Sequence, residues 1–395
     1  MKYRQRITAV IFLILILPVG LRCVVDPKSF YFGIRQHIWK MDFYGADYKA
    51  AVYGGIEETV GGHIPGGENW LDFYGGIQYL LDKNYMKGNP TNPRPNDTVV
   101  RLENHYLTFH DPQKSFPEIA PRVIRFNDFL AQKNIRFLYV QAPGKVCKTD
   151  PRMPRGMEDF TNPRADALLS KLNAANVMTL DLRDEFPRGG EDYDSLFFVG
   201  DNHYNSLGAF LAVQKTVAFI NDRFDMKLDA EALLPERFSR EDFRFRFTGS
   251  QRNRIGNLYT PPDSSTLLLP NYPTQFEVVQ KGEIAATGSF EDIWVDRNSL
   301  ADGKSCYGLY VKRHDALANS INKNTQSSVK ILLVGDSFIR LFVPFLSLSC
   351  KENINFGFSY QESIREVVET YHPDLVIFLY CPNLRKDILE VDYPN

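Results

Sequence analysis

Three things are scarce in this chain of 395 residues, and each scarcity removes a class of protein. Net charge is nearly absent: 46 Lys and Arg stand against 48 Asp and Glu, so no basic field exists to attract nucleic acid, and no nucleic-acid partner is expected. Cysteine is sparse. The five residues Cys23, Cys147, Cys306, Cys350 and Cys381 show no CxxC spacing and no neighbouring histidine pair, which argues against a zinc site; no metal and no cofactor is expected. With Cys23 set aside in an apolar N-terminal segment, the other four permit disulfides, but a domain of this size does not require them. Internal repeats and low-complexity tracts are missing as well, and with 44% hydrophobic and 13% aromatic residues the chain can bury one large core or two smaller ones.

One apolar run stands out. Lys2, Arg4 and Arg6 precede an uncharged stretch from Ile7 to Leu21, the pattern of an export signal or a membrane anchor. A helix over that stretch rises about 22 Å at about 1.5 Å per residue, short of the roughly 30 Å hydrocarbon core, although Cys23 to Val25 extend it if Arg22 snorkels. Gly20-Leu21-Arg22-Cys23 is a poor cleavage site, which favours an uncleaved anchor over a cleaved signal; a buried N-terminal helix is the third possibility. The basic N-terminus places residues 26–395 outside the cytoplasm, anchored to the cytoplasmic membrane or, after cleavage, periplasmic or secreted.

Past the N-terminal segment, residues 1–25, the chain reads as an irregular, Gly- and Tyr-rich approach over 26–98 and an α/β domain over 99–395. Strands at Ile135–Val140, Val177–Leu182, Val329–Val334, Ile354–Phe358 and Asp374–Tyr380 alternate with helices, among them Ser206–Arg223, whose Leu207, Phe210, Leu211, Val213, Val217 and Ile220 keep helical spacing. Such alternation implies a doubly wound, mainly parallel sheet. Residues 225–328 break the pattern with strand-like QFEVV and GLYVKR and read as a β-rich insertion.

The chemistry gathers at two places. Lys330 to Phe338, KILLVGDSF, drives an apolar run into Gly335-Asp336-Ser337 at a strand end, and open α/β sheets keep their active sites at that edge. Asp201-Asn202-His203-Tyr204 lies far upstream, just ahead of the long helix. Serine needs a base within hydrogen-bond reach and a third group to orient that base, roles that Ser337, His203 and Asp201 can fill. In an extended segment residues i and i+2 point the same way, so Asp201 can hold His203 Nδ1 while Nε2 faces Ser337. Backbone N–H groups at Ser337 and Phe338 are placed to stabilise an oxyanion. Taken singly, Gly-Asp-Ser is also a common turn and cap, and Asp-x-His before a helix a capping arrangement. The other histidines, His37, His63, His105, His110, His314 and His372, lack partner spacing and read as structural.

LLVGDSF followed by DLVIFLY, with Asp-x-His-aromatic upstream, resembles the SGNH-hydrolase-like domain of the alginate O-acetyltransferases and the related bacterial DHHW-motif proteins. In ordinary SGNH hydrolases the serine block comes first; here His203 precedes Ser337, the circularly permuted order of that family. The likeness spans roughly residues 95–385, including LENHYLTF and FTGSQRNRIG. It implies Ser337 as nucleophile, His203 as general base and Asp201 as its orienting partner. It places Tyr204 where the family usually has Trp, and Gly249 and Ser250 in a substrate-side loop. Arg252 and Arg254 on that loop would meet anionic groups unless they are solvated surface charge, and Asn383 is a further oxyanion or substrate contact, though Cys381-Pro382 departs from the charged residues expected there.

The resemblance implies an exported O-acetyltransferase acting on a cell-surface or secreted glycan, with a membrane-bound O-acyltransferase as partner supplying the acyl group. The same triad with water as acceptor would make an esterase or deacetylase, and a catalytically silent glycan-binding envelope protein is the third reading.

Overall fold

The computed structural model describes residues 67–87, 98–111, 119–247, 249–260, 262–280, 282–298, 309–310, 318–357 and 363–382. The N-terminal apolar segment lies outside them, and among the described residues no helix is long and apolar enough to cross a membrane. The chain divides into two compact units, residues 1–99 with 252–260, and residues 100–251 with 261–395.

The first unit contains helix α1 (Gly67–Leu80), strand β1 (Tyr85–Lys87) and a helical turn at Arg252–Ile255. Asp72 accepts from the Asn257 backbone N–H and side-chain amide, and Tyr259 donates its hydroxyl to Lys83 O.

Strand β2 (Thr98–Arg101) carries the chain into the second unit, and a turn in which Leu102 N–H donates to Tyr106 O at 2.8 Å leads to β3 (Leu107–Phe109). Alternation then begins: α2 (Ile119–Gln132), β4 (Arg136–Gln141), α3 (Thr161–Ala174), β5 (Thr179–Asp181) and α4 (Ser206–Arg223). Strands β6 (Phe238–Phe247), β7 (Asp263–Pro270), β8 (Phe276–Gln280), β9 (Glu283–Gly288) and β10 (Ala318–Asn322) follow. The chain closes with β11 (Lys330–Gly335), α5 (Ile339–Ser349), β12 (Glu352–Gly357), α6 (Ile364–Tyr371) and β13 (Leu375–Tyr380).

Eight of these strands form one sheet in the order β5-β4-β13-β11-β12-β10-β8-β9, parallel from β5 to β12 and antiparallel beyond. The apolar runs RFLYV, ILLV and LVIFLY belong to its centre because both faces there are covered. Alternate residues separate cleanly: Leu138, Val140, Ile331, Leu333 and Ile377 join the cluster built with α4 and α5, whereas Phe137, Tyr139, Leu332, Val334 and Phe378 join the one built with α2, α3 and α6. Period-two alternation thus supplies two cores from one set of strands, in a mainly parallel α/β fold wound on both faces.

The β-rich stretch behaves in two ways. Strands β6 and β7 pair with each other, while β8, β9 and β10 extend the central sheet as its antiparallel edge. Of GLYVKR only Leu309 and Tyr310 lie within the described residues; both are buried in a helical turn, and the Tyr310 hydroxyl is tied to β7 at Leu268. Cys147, Cys350 and Cys381 are buried and form no disulfide among the described residues, and Cys23 and Cys306 lie outside those residues.

Candidate active site

Strand β11 delivers the serine. Its carboxyl end pairs Gly335 with Leu379 of β13 on one side and Gly357 of β12 on the other, after which Asp336-Ser337-Phe338 turns into α5. A Cβ at residue 335 would lie 2.2 Å from Leu379 O and 2.5 Å from Ile339 Cγ2, so the turn requires glycine. Asp336 secures it: one carboxylate oxygen accepts the Phe338 N–H at 2.9 Å, the other the Cys381 N–H at 2.8 Å, tying the turn to the end of the neighbouring strand. Burial pushes the Asp336 carboxyl above its ordinary value, against those two N–H groups.

This arrangement alters the expected oxyanion donors. The Phe338 N–H is already committed to Asp336, whereas the Ser337 N–H makes no hydrogen bond among the described residues. Ser337 is half-buried at the sheet edge.

The other limb is a loop ahead of α4. Phe197 and Tyr204 form an antiparallel bridge, Asn205 N–H donates to Leu196 O at 2.9 Å, and the Asn205 side chain caps α4 by accepting from Leu207 and Gly208 N–H. The tight loop so closed turns Asp201 and His203 to the same side. His203 Nδ1 lies 2.5 Å from Asp201 Oδ1, and His203 Nε2 lies 2.6 Å from Ser337 Oγ. The structure therefore brings Asp201, His203 and Ser337 into one hydrogen-bonded line. The second Asp201 oxygen accepts the Ser250 N–H at 2.7 Å. Burial by itself would raise the Asp201 carboxyl, but His203, the Ser250 N–H and the charge on Lys145 outweigh it and hold the group well below the usual carboxylate range.

The remaining expected site residues separate. Tyr204 is fully buried, donates its hydroxyl to Phe338 O at 2.6 Å and packs edge-on against the Phe338 ring at 4.8 Å, so it braces the two limbs rather than presenting a surface. Gly249 is needed for close approach: a Cβ there would sit 2.2 Å from Gly200 O, and only without one can Ser250 reach Asp201. Arg252 and Arg254 fall in the first unit. Arg252 is buried, with its guanidinium spent on Thr260 O at 3.0 Å and Asn257 O at 3.2 Å, so it is neither a solvated charge nor a free anion ligand. Arg254 is half-buried, and Asn383 lies outside the described residues.

Sequence patterning missed several neighbours. Asp263 accepts the Val199 and Gly200 N–H groups just ahead of Asp201, and the Lys145 ammonium is buried behind the same loop. A small pocket beside the dyad is lined by Thr108, Gly144, Lys145, Asn202, Phe338 and Cys381. The one signal that could have found any of these is the lone charge of Lys145 in the otherwise apolar and turn-forming segment QAPGKVC.

Residues 103–244 match the family model described as the SGNH hydrolase-like domain of the acetyltransferase AlgX, a span that includes Asp201 and His203 and ends before Ser337. No curated protein matches the sequence. Among solved structures, PatB1 of Bacillus cereus is similar at 19% identity with a TM-score of 0.62, covering 74% of this chain and 99% of that one. The same protein with a sulfonyl adduct gives 18%, 0.61, 75% and 98%. A DHHW family protein from Eubacterium siraeum is similar at 14% identity with a TM-score of 0.53, covering 76% and 94%. The fold of this chain is accordingly that of the SGNH hydrolase-like proteins, and its likeness to the acetyltransferase family of AlgX is carried in sequence by residues 103–244.

Proposed function

We propose that this protein is a serine-dependent O-acetyltransferase of SGNH type, moving an acetyl group through acetyl-Ser337 onto a hydroxyl of a cell-surface or secreted glycan. The observation that carries the reading is the unbroken line from Asp201 through His203 to Ser337, with contacts of 2.5 and 2.6 Å. The match of residues 103–244 to an acetyltransferase family supports transfer over other serine chemistry.

Ser337 Oγ attacks the acetyl carbonyl carbon of the donor as His203 Nε2 takes its proton, and Asp201 stabilises the resulting imidazolium. The Ser337 N–H, at the entry to α5, donates to the developing oxyanion. Collapse breaks the bond to the leaving group, which receives the proton from His203. A sugar hydroxyl then gives its proton to His203 and attacks acetyl-Ser337; the released Ser337 alkoxide regains that proton. Tyr204, Gly249 and Ser250 act through the limbs they hold, and Asn383 remains a candidate acceptor contact. The apolar N-terminal segment would keep the domain on the outer side of the cytoplasmic membrane, next to a membrane-bound O-acyltransferase as donor.

Incubating the purified protein with a serine-directed phosphonylating probe tests the nucleophile: a single adduct at Ser337, lost in Ser337→Ala, is expected. An acetyl ester supplied with and without glycan acceptor tests the reaction class. Acetyl transfer to the glycan is expected, and acetate release indifferent to every acceptor would make the protein an esterase instead.

A further inference from the structure

We propose that Lys145 is a positioning residue for the Asp201–His203 limb, its ammonium clamping the segments on either side of Asp201 and supplying the positive charge behind the dyad. The inference rests on the serine mechanism above. Lys145 follows β4 in the second unit and is buried, an unfavourable place for an ammonium unless its donors are matched. They are matched by oxygens from three separate segments: Leu107 O of β3 at 2.5 Å, Val199 O at 2.9 Å and Gln251 Oε1 at 2.8 Å. An ammonium has three N–H donors, so these acceptors fully employ it.

Two of the three segments lead directly to Asp201. Residues 199 and 200 are gripped from both sides, with the Val199 carbonyl on Lys145 and the Val199 and Gly200 N–H groups on Asp263. Gln251 follows Ser250, whose N–H meets Asp201 Oδ2, and its own N–H donates to Gly200 O at 3.0 Å. The Lys145 ammonium therefore fixes both the loop that carries Asp201 and the segment that supplies its second hydrogen bond. Other charged or titratable groups facing it are the Asp201 and Asp263 carboxylates, with His203 beyond Asp201, and the Tyr106 ring with its centroid 6.0 Å away. A lysine that only filled space would leave the ionisation of the dyad alone. One that sets its charge environment must move it: without the ammonium the His203–Asp201 pair accepts a proton more readily, and the acid limb of the rate profile rises in pH.

The test uses the full chain with an activated aryl acetate as acetyl donor, followed across the pH range, in Ser337→Ala, Lys145→Met, Lys145→Arg and Asp263→Asn. Lys145→Met is expected to lower kcat about tenfold or more with KM nearly unchanged, and to move the acid limb up by about one pH unit. Lys145→Arg should return the limb towards its original position. Asp263→Asn shows how much of the limb belongs to the second carboxylate, and a shift in Lys145→Met that persists in its presence supports the proposal. A folded Lys145→Met enzyme with the wild-type limb overturns it, whatever its rate. Should Lys145→Met fail to fold by circular dichroism, Gln251→Leu decides: it keeps the ammonium but releases the Ser250 segment, and a threefold to tenfold loss in kcat is expected, with an unchanged kcat overturning the proposal. Full activity in Ser337→Ala would instead sink the serine mechanism and leave the packing of Lys145 as a matter of fold.

Discussion

The two limbs of the site are built from opposite materials. Ser337 stands at the end of a central parallel strand, with β13 and β12 on either side and α5, buried except at Arg340, following it, so its position is set mainly by apolar packing and main-chain bonds, with the Asp336 side chain tying the turn. Asp201 and His203 stand on a loop outside the sheet and are located by polar groups: Asp263, Ser250, Lys145 and the Tyr204 hydroxyl. Apolar packing is non-directional and tolerant, whereas a buried polar network holds only while every partner is present. The serine limb should therefore resist perturbation in place, and the histidine limb should fail when single hydrogen bonds are removed.

The largest expected effect strikes the point where the limbs meet. Ser337→Ala should reduce turnover of an acetyl ester by up to about a million-fold, read as kcat in a purified, folded variant. Asp201→Asn should leave the fold intact but cost about ten-thousand-fold in kcat, because an amide facing Nδ1 selects the wrong tautomer; melting temperature and turnover measured together show whether the loss is chemical. In the serine limb's core, Phe378 stacks on Phe126 at 5.1 Å and meets Phe137 edge-on at 4.9 Å. Phe378→Ala should lower stability by about 3–5 kcal/mol in urea unfolding while the remaining folded protein stays active. Loss of activity at full stability would contradict the contrast.

Asp263 gives a pH test of the polar limb. Burial raises its carboxyl to about 6, against the pull of Lys145 and the two backbone N–H groups. A carboxyl raised above its unfolded value of about 3.9 stabilises the fold fully below that value and loses the contribution as pH climbs through the folded one. Between about pH 4 and pH 7 the wild type should therefore lose about 2–3 kcal/mol from this group, and the difference in melting temperature between wild type and Asp263→Asn should narrow or reverse across that window. The smallest effect is expected for Tyr204→Phe, which deletes the 2.6 Å bond to Phe338 O and leaves a buried acceptor unpaired. It should cost about 1–2 kcal/mol in stability, with a fall in kcat several-fold beyond what the folded fraction explains.

Much of the fold was legible because its signals are local. The short apolar run at 330–335, bounded by turn residues, reads as a buried strand, the helix at 206–223 has its observed limits in its cap and spacing, and Gly-Asp-Ser marked a strand end. Within GLYVKR the described pair Leu309-Tyr310 forms a helical turn, and apolar periodicity in so short a run does not distinguish such a turn, held here by Tyr310 on β7, from a strand. Arg252 was misread for a related reason: a charge in a loop looks solvated until its carbonyl partners are known. Phe338 N–H was assigned to the oxyanion because a sequence cannot show that the Asp336 carboxylate folds back to claim it.

By itself the sequence determined the alternation of strands and helices, the apolar faces that give the sheet two cores, and the three residue types with the chemistry of acyl transfer. Those are properties of periodicity and of side-chain identity, carried within a few residues of chain. Only the tertiary structure decided that Asp201, His203 and Ser337 meet, that Asp336 anchors the serine turn and that Lys145 lies behind the dyad. Each of these depends on bonds between segments distant in sequence, whose formation is set by how the sheet edge and its loops close in three dimensions.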